Sequence, residues 1–260
     1  MSSYGNYKDL GVTLENHVAV VEIQRPPHNF FDFELIGSMA SAFEDLGADN
    51  DCRAIVLCAQ GKSFCAGADF SGGGSGPLEN RGGSSLYQEA VRLFRTPKPV
   101  IAAVQGAAIG GGLGVAVMPD FRVACPEARF AANFTRLGFH PGFGLTHTLP
   151  KLVGQQKAAM LFYTSRRIKG DEAYEMGLVD ILTTQEKLRE TAINFAAEIA
   201  ENSPLGVVET RATLRAGLAD RVKEATDHEL DVQERLKQTE DFAEGVKATA
   251  ERRVPNFKGR

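Results

Sequence analysis

The sequence predicts an α/β fold in which a core of alternating strands and helices is followed by an all-helical C-terminal region. Three observations carry this. From Val12 to Leu182, short β-branched runs alternate with segments whose apolar residues keep helical spacing. At the centre, Val100 to Met118 reads as a buried strand that runs through Gly106, Gly110, Gly111, Gly112 and Gly114 into a short helix. From Gln185 onward, four helical patterns (Gln185 to Glu201, Leu205 to Ala219, Arg221 to Gln238, Asp241 to Arg252) follow one another with no strand between them. The expected division is a core over residues 1–200 and a helical region over 201–260, whose apolar stripes pack on the core or on a neighbouring subunit.

In chain order, Val12 to Leu14 and Val18 to Ile23 alternate as a hairpin should, around the turn at Glu15-Asn16. Asp32 is placed to cap a helix carrying Leu35, Ile36, Met39, Phe43 and Leu46, and Ala54 to Ala59 follows as a doubly buried strand. Periodicity then disappears between Gln60 and Ser85, and a loop of that length inside a compact domain is usually functional or mobile. A helix from about Ser85 to Arg95 leads through Pro97 and Pro99 into the central strand. Beyond it, Phe121 to Ala124 and Arg129 to Ala131 read as strands, Phe143 to Leu152, Gln155 to Thr164 and Asp171 to Met176 as helices, and Leu178 to Leu182 as a strand. Gly177 closes the third of these helices.

Composition narrows the function. The chain has 260 residues, 43% hydrophobic and 24% charged, with a formal charge of −4, which suits a globular core and gives no basic footprint for nucleic acid or an anionic membrane. Its four cysteines (Cys52, Cys58, Cys65, Cys125) form no C-x-x-C pair, so neither a disulfide framework nor a metal site is expected. With no apolar leader in the first twenty residues and no unbroken apolar span, a cytoplasmic protein is expected.

The glycine run admits two readings. Glycines let a ligand approach the backbone, and a strand turning into a helix presents unpaired N–H groups to something carrying or developing negative charge. They also permit close packing of a buried helix. A dinucleotide fingerprint is not matched, because the G-x-G-x-x-G spacing and its following acidic residue are both missing.

Two segments read together resemble the signatures of the crotonase superfamily, the enoyl-CoA hydratase/isomerase family: IVLCAQGKSFCAGADF (Ile55 to Phe70) and AAVQGAAIGGGLGVAVMPDFRVA (Ala102 to Ala124). RPPHNFF from Arg25, LGFHPGFGLTHTLPKLVG from Leu137 and EDFAEGVKATAERRVPNFKGR at the C-terminus extend the likeness over nearly the whole chain, in the right order. The resemblance implies a spiral of repeated ββα units with a C-terminal helical oligomerisation region, an acyl-coenzyme A substrate and assembly as a homotrimer or dimer of trimers. It implies no cofactor beyond the coenzyme A of the substrate. By motif, the backbone N–H groups of Ala68 and Gly111 form an oxyanion hole for the thioester carbonyl. Ala66, Asp69 and Phe70 line the coenzyme A, Phe134 belongs to the acyl pocket, and Phe257 with Lys258 forms a C-terminal contact. Lys62 and Lys258 fit a phosphate contact or a solvated surface equally well.

The family's two catalytic glutamates align with Gly114 and Phe134, and a third position, an aspartate in some isomerases and dehalogenases, aligns with Gly142. None of these can move a proton. Imidazole titrates near neutrality unperturbed, which makes His140, two residues before Gly142, the expected replacement base, with His147 next. His28, Asp69, Tyr87, Glu89 and Arg92 are weaker candidates. The reading is an acyl-CoA enzyme working through an enolate, by hydration or double-bond shift. A hydrolase of the same fold and a catalytically silent acyl-CoA-binding subunit remain alternatives.

Overall fold

The computed structural model describes residues 4–68 and 85–260. Strand β1 (Leu10–Glu15) pairs antiparallel with β2 (Val18–Ile23), and the turn residues Asn16 and His17 both take positive φ, which matches the twist of a tight hairpin. Helix α1 (Phe33–Ala48) begins where Asp32 accepts the Leu35 N–H, and β3 (Ala54–Ala59) follows, buried at every position. Two short strands, β4 (Ser63–Cys65) and, beyond helix α2 (Leu86–Phe94) and strand β5 (Val100–Val104), β6 (Ala107–Ile109), belong to a second sheet. Helix α3 (Gly111–Val117), strands β7 (Phe121–Ala124) and β8 (Arg129–Ala131), and helices α4 (Leu145–Val153) and α5 (Gln155–Thr164) continue the chain. Strand β9 (Arg167–Lys169), helix α6 (Gly170–Met176) and strand β10 (Ile181–Leu182) complete the core.

Each pass of the chain gives one strand to each sheet before a helix returns: β3 with β4, β5 with β6, β7 with β8. The larger sheet has the order β1-β2-β3-β5-β7-β10, parallel from β2 onward, and the smaller the order β4-β6-β8-β9. This is the expected spiral of ββα units. The period of two along β3 explains why its sheet is covered on both faces. Ala54, Val56 and Cys58 meet α7 (Leu188–Ala200) through Ala192 and Ala196, while Ile55, Leu57 and Ala59 face the cluster built on Leu35, Met39 and Phe43. Strands β4, β6 and β9 are three residues each and carry little alternation, and the expected elements do not separate them from the segments around them.

The C-terminal helices are α8 (Pro204–Leu214), α9 (Leu218–Leu236) and α10 (Glu240–Ala250). The pattern from Leu205 to Ala219 is interrupted, since α8 closes at Arg215 and Gly217 at φ +68° opens the next helix. Helix α8 is tied to the core by Asp120, which accepts from Arg211 Nε at 2.9 Å, Arg215 Nη1 at 2.8 Å and the Val100 N–H at 2.8 Å. Helix α9 packs on α2 and α4, and α10 reaches the turn at Thr135–Leu137. All four cysteines are buried free thiols, and burial raises those of Cys52, Cys58 and Cys65 to about 12. Among the described residues no helix is long and apolar enough to cross a membrane.

Candidate active site

The two glycine-bearing segments meet. An ideal Cβ on Gly112 would lie 2.0 Å from the Cys65 carbonyl oxygen, and one on Gly67, which sits at φ +96°, would lie 2.7 Å from the Ile109 oxygen and 3.9 Å from the Gly111 nitrogen. Only glycine permits this approach. The segment from Ala66 to Ala68 is held by the residues after β2: Ala66 N–H donates to His28 O at 3.0 Å and Phe31 N–H to Gly67 O at 2.9 Å. Residues 31 and 68 form a parallel bridge. In that bridge the Phe31 N–H bonds the Gly67 oxygen, and the Ala68 N–H has no backbone acceptor among the described residues. Gly111 is the first residue of α3 and its N–H is equally without one, as the opening N–H groups of a helix are. Ala68 and Gly111 line one cavity.

That cavity has a volume of about 380 Å³. Ala66, Ala68, Gly111 and Phe134 all line it. Its walls are largely apolar, with Phe31, Phe134, Phe139 and Phe143 prominent, and its polar side chains are Tyr87, Asn133, Gln233 and Thr249. No carboxylate and no histidine occurs among the described lining residues. Aromatic rings take the space instead: a Cβ on Gly114 would lie 2.6 Å from the Phe143 Cβ, and one on Gly142 would lie 2.0 Å from the Tyr87 hydroxyl oxygen.

His140 lies outside this lining. Its Nδ1 is 2.8 Å from the Pro141 oxygen, its ring packs edge-on to His228, and burial lowers its pKa, with the neighbouring imidazole adding to the effect. Phe257 and Lys258 also lie outside the cavity, on a tail folded back against α10, where the Lys258 and Gly259 N–H groups donate to the Asp241 carboxylate at 2.6 and 2.8 Å. Asp69 and Phe70 fall outside the described residues. Sequence reasoning missed Asn133, Gln233 and Thr249, and a polar residue beside the altered Phe134 position was the available signal for Asn133.

The segment from His140 to Thr146, which carries Phe143 at φ +64° and Gly144 at φ +71°, is gripped by two side chains one turn apart on α9. Glu229 accepts from Gly144 N–H at 2.8 Å, Thr146 N–H at 3.1 Å and Thr146 Oγ1 at 2.6 Å. Burial nevertheless pushes its carboxyl up to about 7 against those three donors. Gln233 Nε2 donates to the His140 and Pro141 oxygens at 2.9 and 3.2 Å, and its Oε1 accepts from Tyr87 at 2.8 Å. Burial and the nearby Glu229 carboxyl raise the Tyr87 phenol well above its ordinary range, so it is neutral at physiological pH.

A family model described as enoyl-CoA hydratase/isomerase matches residues 13–260. The chain belongs to the enoyl-CoA hydratase/isomerase family. It is 34% identical over 260 residues to a probable enoyl-CoA hydratase of Bacillus subtilis (strain 168), covering 96% of this chain and 98% of the relative. It is 32% identical to a mitochondrial Delta(3,5)-Delta(2,4)-dienoyl-CoA isomerase of Homo sapiens, covering 95% of this chain and 80% of that one. Among solved structures, an enoyl-CoA hydratase/isomerase from Pseudoalteromonas atlantica T6c superposes with a TM-score of 0.88 at 29% identity, over 96% of this chain and all of the other. This enoyl-CoA hydratase/isomerase family member is thus an acyl-CoA-processing enzyme, resembling hydratases and an isomerase to similar extents.

Proposed function

We propose that this enzyme binds an acyl-CoA thioester with its carbonyl oxygen between the Ala68 and Gly111 N–H groups and stabilises the enolate that forms there. The observation that carries the reading is the pair of backbone donors without backbone acceptors among the described residues, at the wall of a largely apolar cavity. Such donors, fixed before the reaction, are worth roughly 3–4 kcal/mol each when measured by removal. The acyl group packs on Phe31, Phe134 and Phe143, and no cofactor is required beyond the coenzyme A of the substrate.

The absence of a carboxylate or histidine among the described lining residues sets the chemistry apart from ordinary hydration. Hydration needs a group that activates water and another that protonates the α carbon, and each well-placed group contributes about 10²–10⁴-fold. Enolate formation with proton exchange to solvent, or a double-bond shift that follows from it, asks less of the side chains. His140 is held against Pro141 and His228, and it reaches the cavity only if that segment moves.

The experiment measures crotonyl-CoA hydration and deuterium exchange at the α carbon of butyryl-CoA in wild type, His140→Ala, Ala68→Pro and Ala68→Val. Exchange should persist in wild type, fall about 10²–10³-fold in Ala68→Pro, which loses the N–H, and change little in Ala68→Val, which keeps it. Binding of acyl-CoA without any exchange in wild type would favour the silent binding subunit, a reading supported by the same missing acid/base groups. Rapid hydration would show that an acid/base pair is supplied from elsewhere.

We further propose that the helical region over 201–260 assembles the chain as a homotrimer or dimer of trimers. The exposure of Leu205 (78%) and Leu214 (82%) on α8 supports this, because large apolar side chains on one short helix are costly to leave in water.

A further inference from the structure

The turn that joins β3 to β4 is closed by two side-chain amides from elsewhere in the chain. Gln105 Nε2 donates to the Ala59, Gly61 and Ser63 oxygens at 3.0, 3.2 and 3.0 Å. Asn29, fully buried at φ +52°, donates from Nδ2 to the Gln60 and Ser63 oxygens at 2.8 and 2.7 Å, and its Oδ1 accepts from the Arg25 N–H at 3.0 Å. A nitrogen faced only by carbonyl oxygens has to be an NH₂ group, so the flipped orientation of either amide is excluded. The Ser63 oxygen is the acceptor that both share, and it belongs to the first residue of β4. Gln105 directly precedes Gly106 and β6, while Asn29 lies two residues before Phe31, whose N–H binds the Gly67 oxygen. Three arms of the chain are thereby fastened at one atom: the arm leading to Ala68, the arm leading to Gly111, and the arm that supports residues 66–68.

The ladder between β4 and β6 is a weak guide by itself. Each strand has three residues, and the register shifts between Ser63, paired with Ala107, and Cys65, paired with Ala108. So short a parallel pair, broken in register, offers few bonds to fix how far one strand advances along the other. We propose that Gln105 is a positioning residue which, together with Asn29, sets the spacing of the Ala68 and Gly111 N–H groups by fastening the roots of β4 and β6 at the Ser63 oxygen. The inference rests on the enolate-stabilising reading of those two groups. Donors aimed at developing charge have to be held to within about 0.5 Å, and a misplacement of about 1 Å can cost on the order of 10²-fold in rate. Neither Gln105 nor Asn29 is among the described residues that line the cavity, so both act through the backbone they tie.

Calorimetry with butyryl-CoA and the absorption band of bound cinnamoyl-CoA test it, because that band moves to longer wavelength as donors polarise the thioester carbonyl. Gln105→Met keeps the side-chain length and removes the donors, and at this half-buried site water can reach the freed carbonyls. It should lose at least about half of the band shift and slow α-carbon exchange about 10-fold to 10²-fold, while butyryl-CoA affinity changes less than about threefold. Gln105→Glu is a second variant: its carboxylate faces the same three oxygens without a donor, whereas its protonated form regains one. Relative to the wild type at each pH, its band shift should be small at about pH 8 and recover as pH falls toward about 5. A wild-type band shift in both variants would overturn the positioning role. So would a loss of affinity as large as the loss of exchange, which is what a merely structural tie would give. A wild type that binds butyryl-CoA yet shifts the cinnamoyl band not at all would overturn the donor reading itself, and this inference with it.

Discussion

The Phe143 side chain occupies the space that a side chain on Gly114 would need: an ideal Cβ at residue 114 comes within 2.6 Å of the Phe143 Cβ and 2.7 Å of its ring carbons. A carboxylate therefore cannot be restored at that position alone. Gly114→Glu should destabilise the protein and leave crotonyl-CoA hydration at its wild-type rate. Phe143 sits at φ +64°, which glycine adopts without strain. In a Gly114→Glu/Phe134→Glu/Phe143→Gly variant hydration should rise at least about 10²-fold, as expected for regained acid/base groups. A triple variant that folds and hydrates no faster would disprove the steric account.

Glu229 gives stability a pH dependence of unusual sign. Its carboxyl titrates near 7 in the folded protein, above the ordinary 4.5, so the folded chain holds the proton more tightly than the unfolded chain does. Its contribution is present in full below the unfolded value and is lost as pH rises from about 4.5 through 7, amounting to about 3 kcal/mol in order of magnitude. Glu229→Gln cannot ionise, so its urea midpoint should fall less between pH 5 and 8 than that of the wild type. Parallel curves for the two proteins would rule this out.

Asp120 joins α8 to the central strand by accepting from Arg211, Arg215 and the Val100 N–H. Asp120→Ala leaves two largely buried guanidinium groups and a strand N–H without that partner, and removal of one side of a buried ion pair costs about 3–5 kcal/mol. Urea unfolding should register a loss of that order. A change under 1 kcal/mol would mean that water takes over the role of the carboxylate.

The proposed assembly makes a separate prediction from α8. Leu205→Glu/Leu214→Glu should convert a trimer or hexamer seen by light scattering into smaller species, while each chain keeps its helical content by circular dichroism. A wild-type protein that is a stable monomer at micromolar concentration would contradict the proposal directly.

Much of this protein is fixed by local sequence. The hairpin, the helix capped by Asp32 and the doubly buried strand from Ala54 follow from side-chain period and turn chemistry, which act within a few residues. The pairing of the segments around Ala68 and Gly111 came from the family resemblance, since the glycines by themselves fit ligand approach and close packing alike. That residues 114, 134 and 142 carry no side chain able to move a proton could also be read from residue type. What fills those places could not. Phe143 covers Gly114, Tyr87 reaches Gly142 from α2, and Gln233 aligns that phenol from a helix 146 residues further on. The same holds for His140, which lies beside Gly142 in sequence but faces Pro141 and His228. The physical reason is that side-chain direction and contact across the core depend on the packing of elements distant in sequence, and only the assembled tertiary structure decides them.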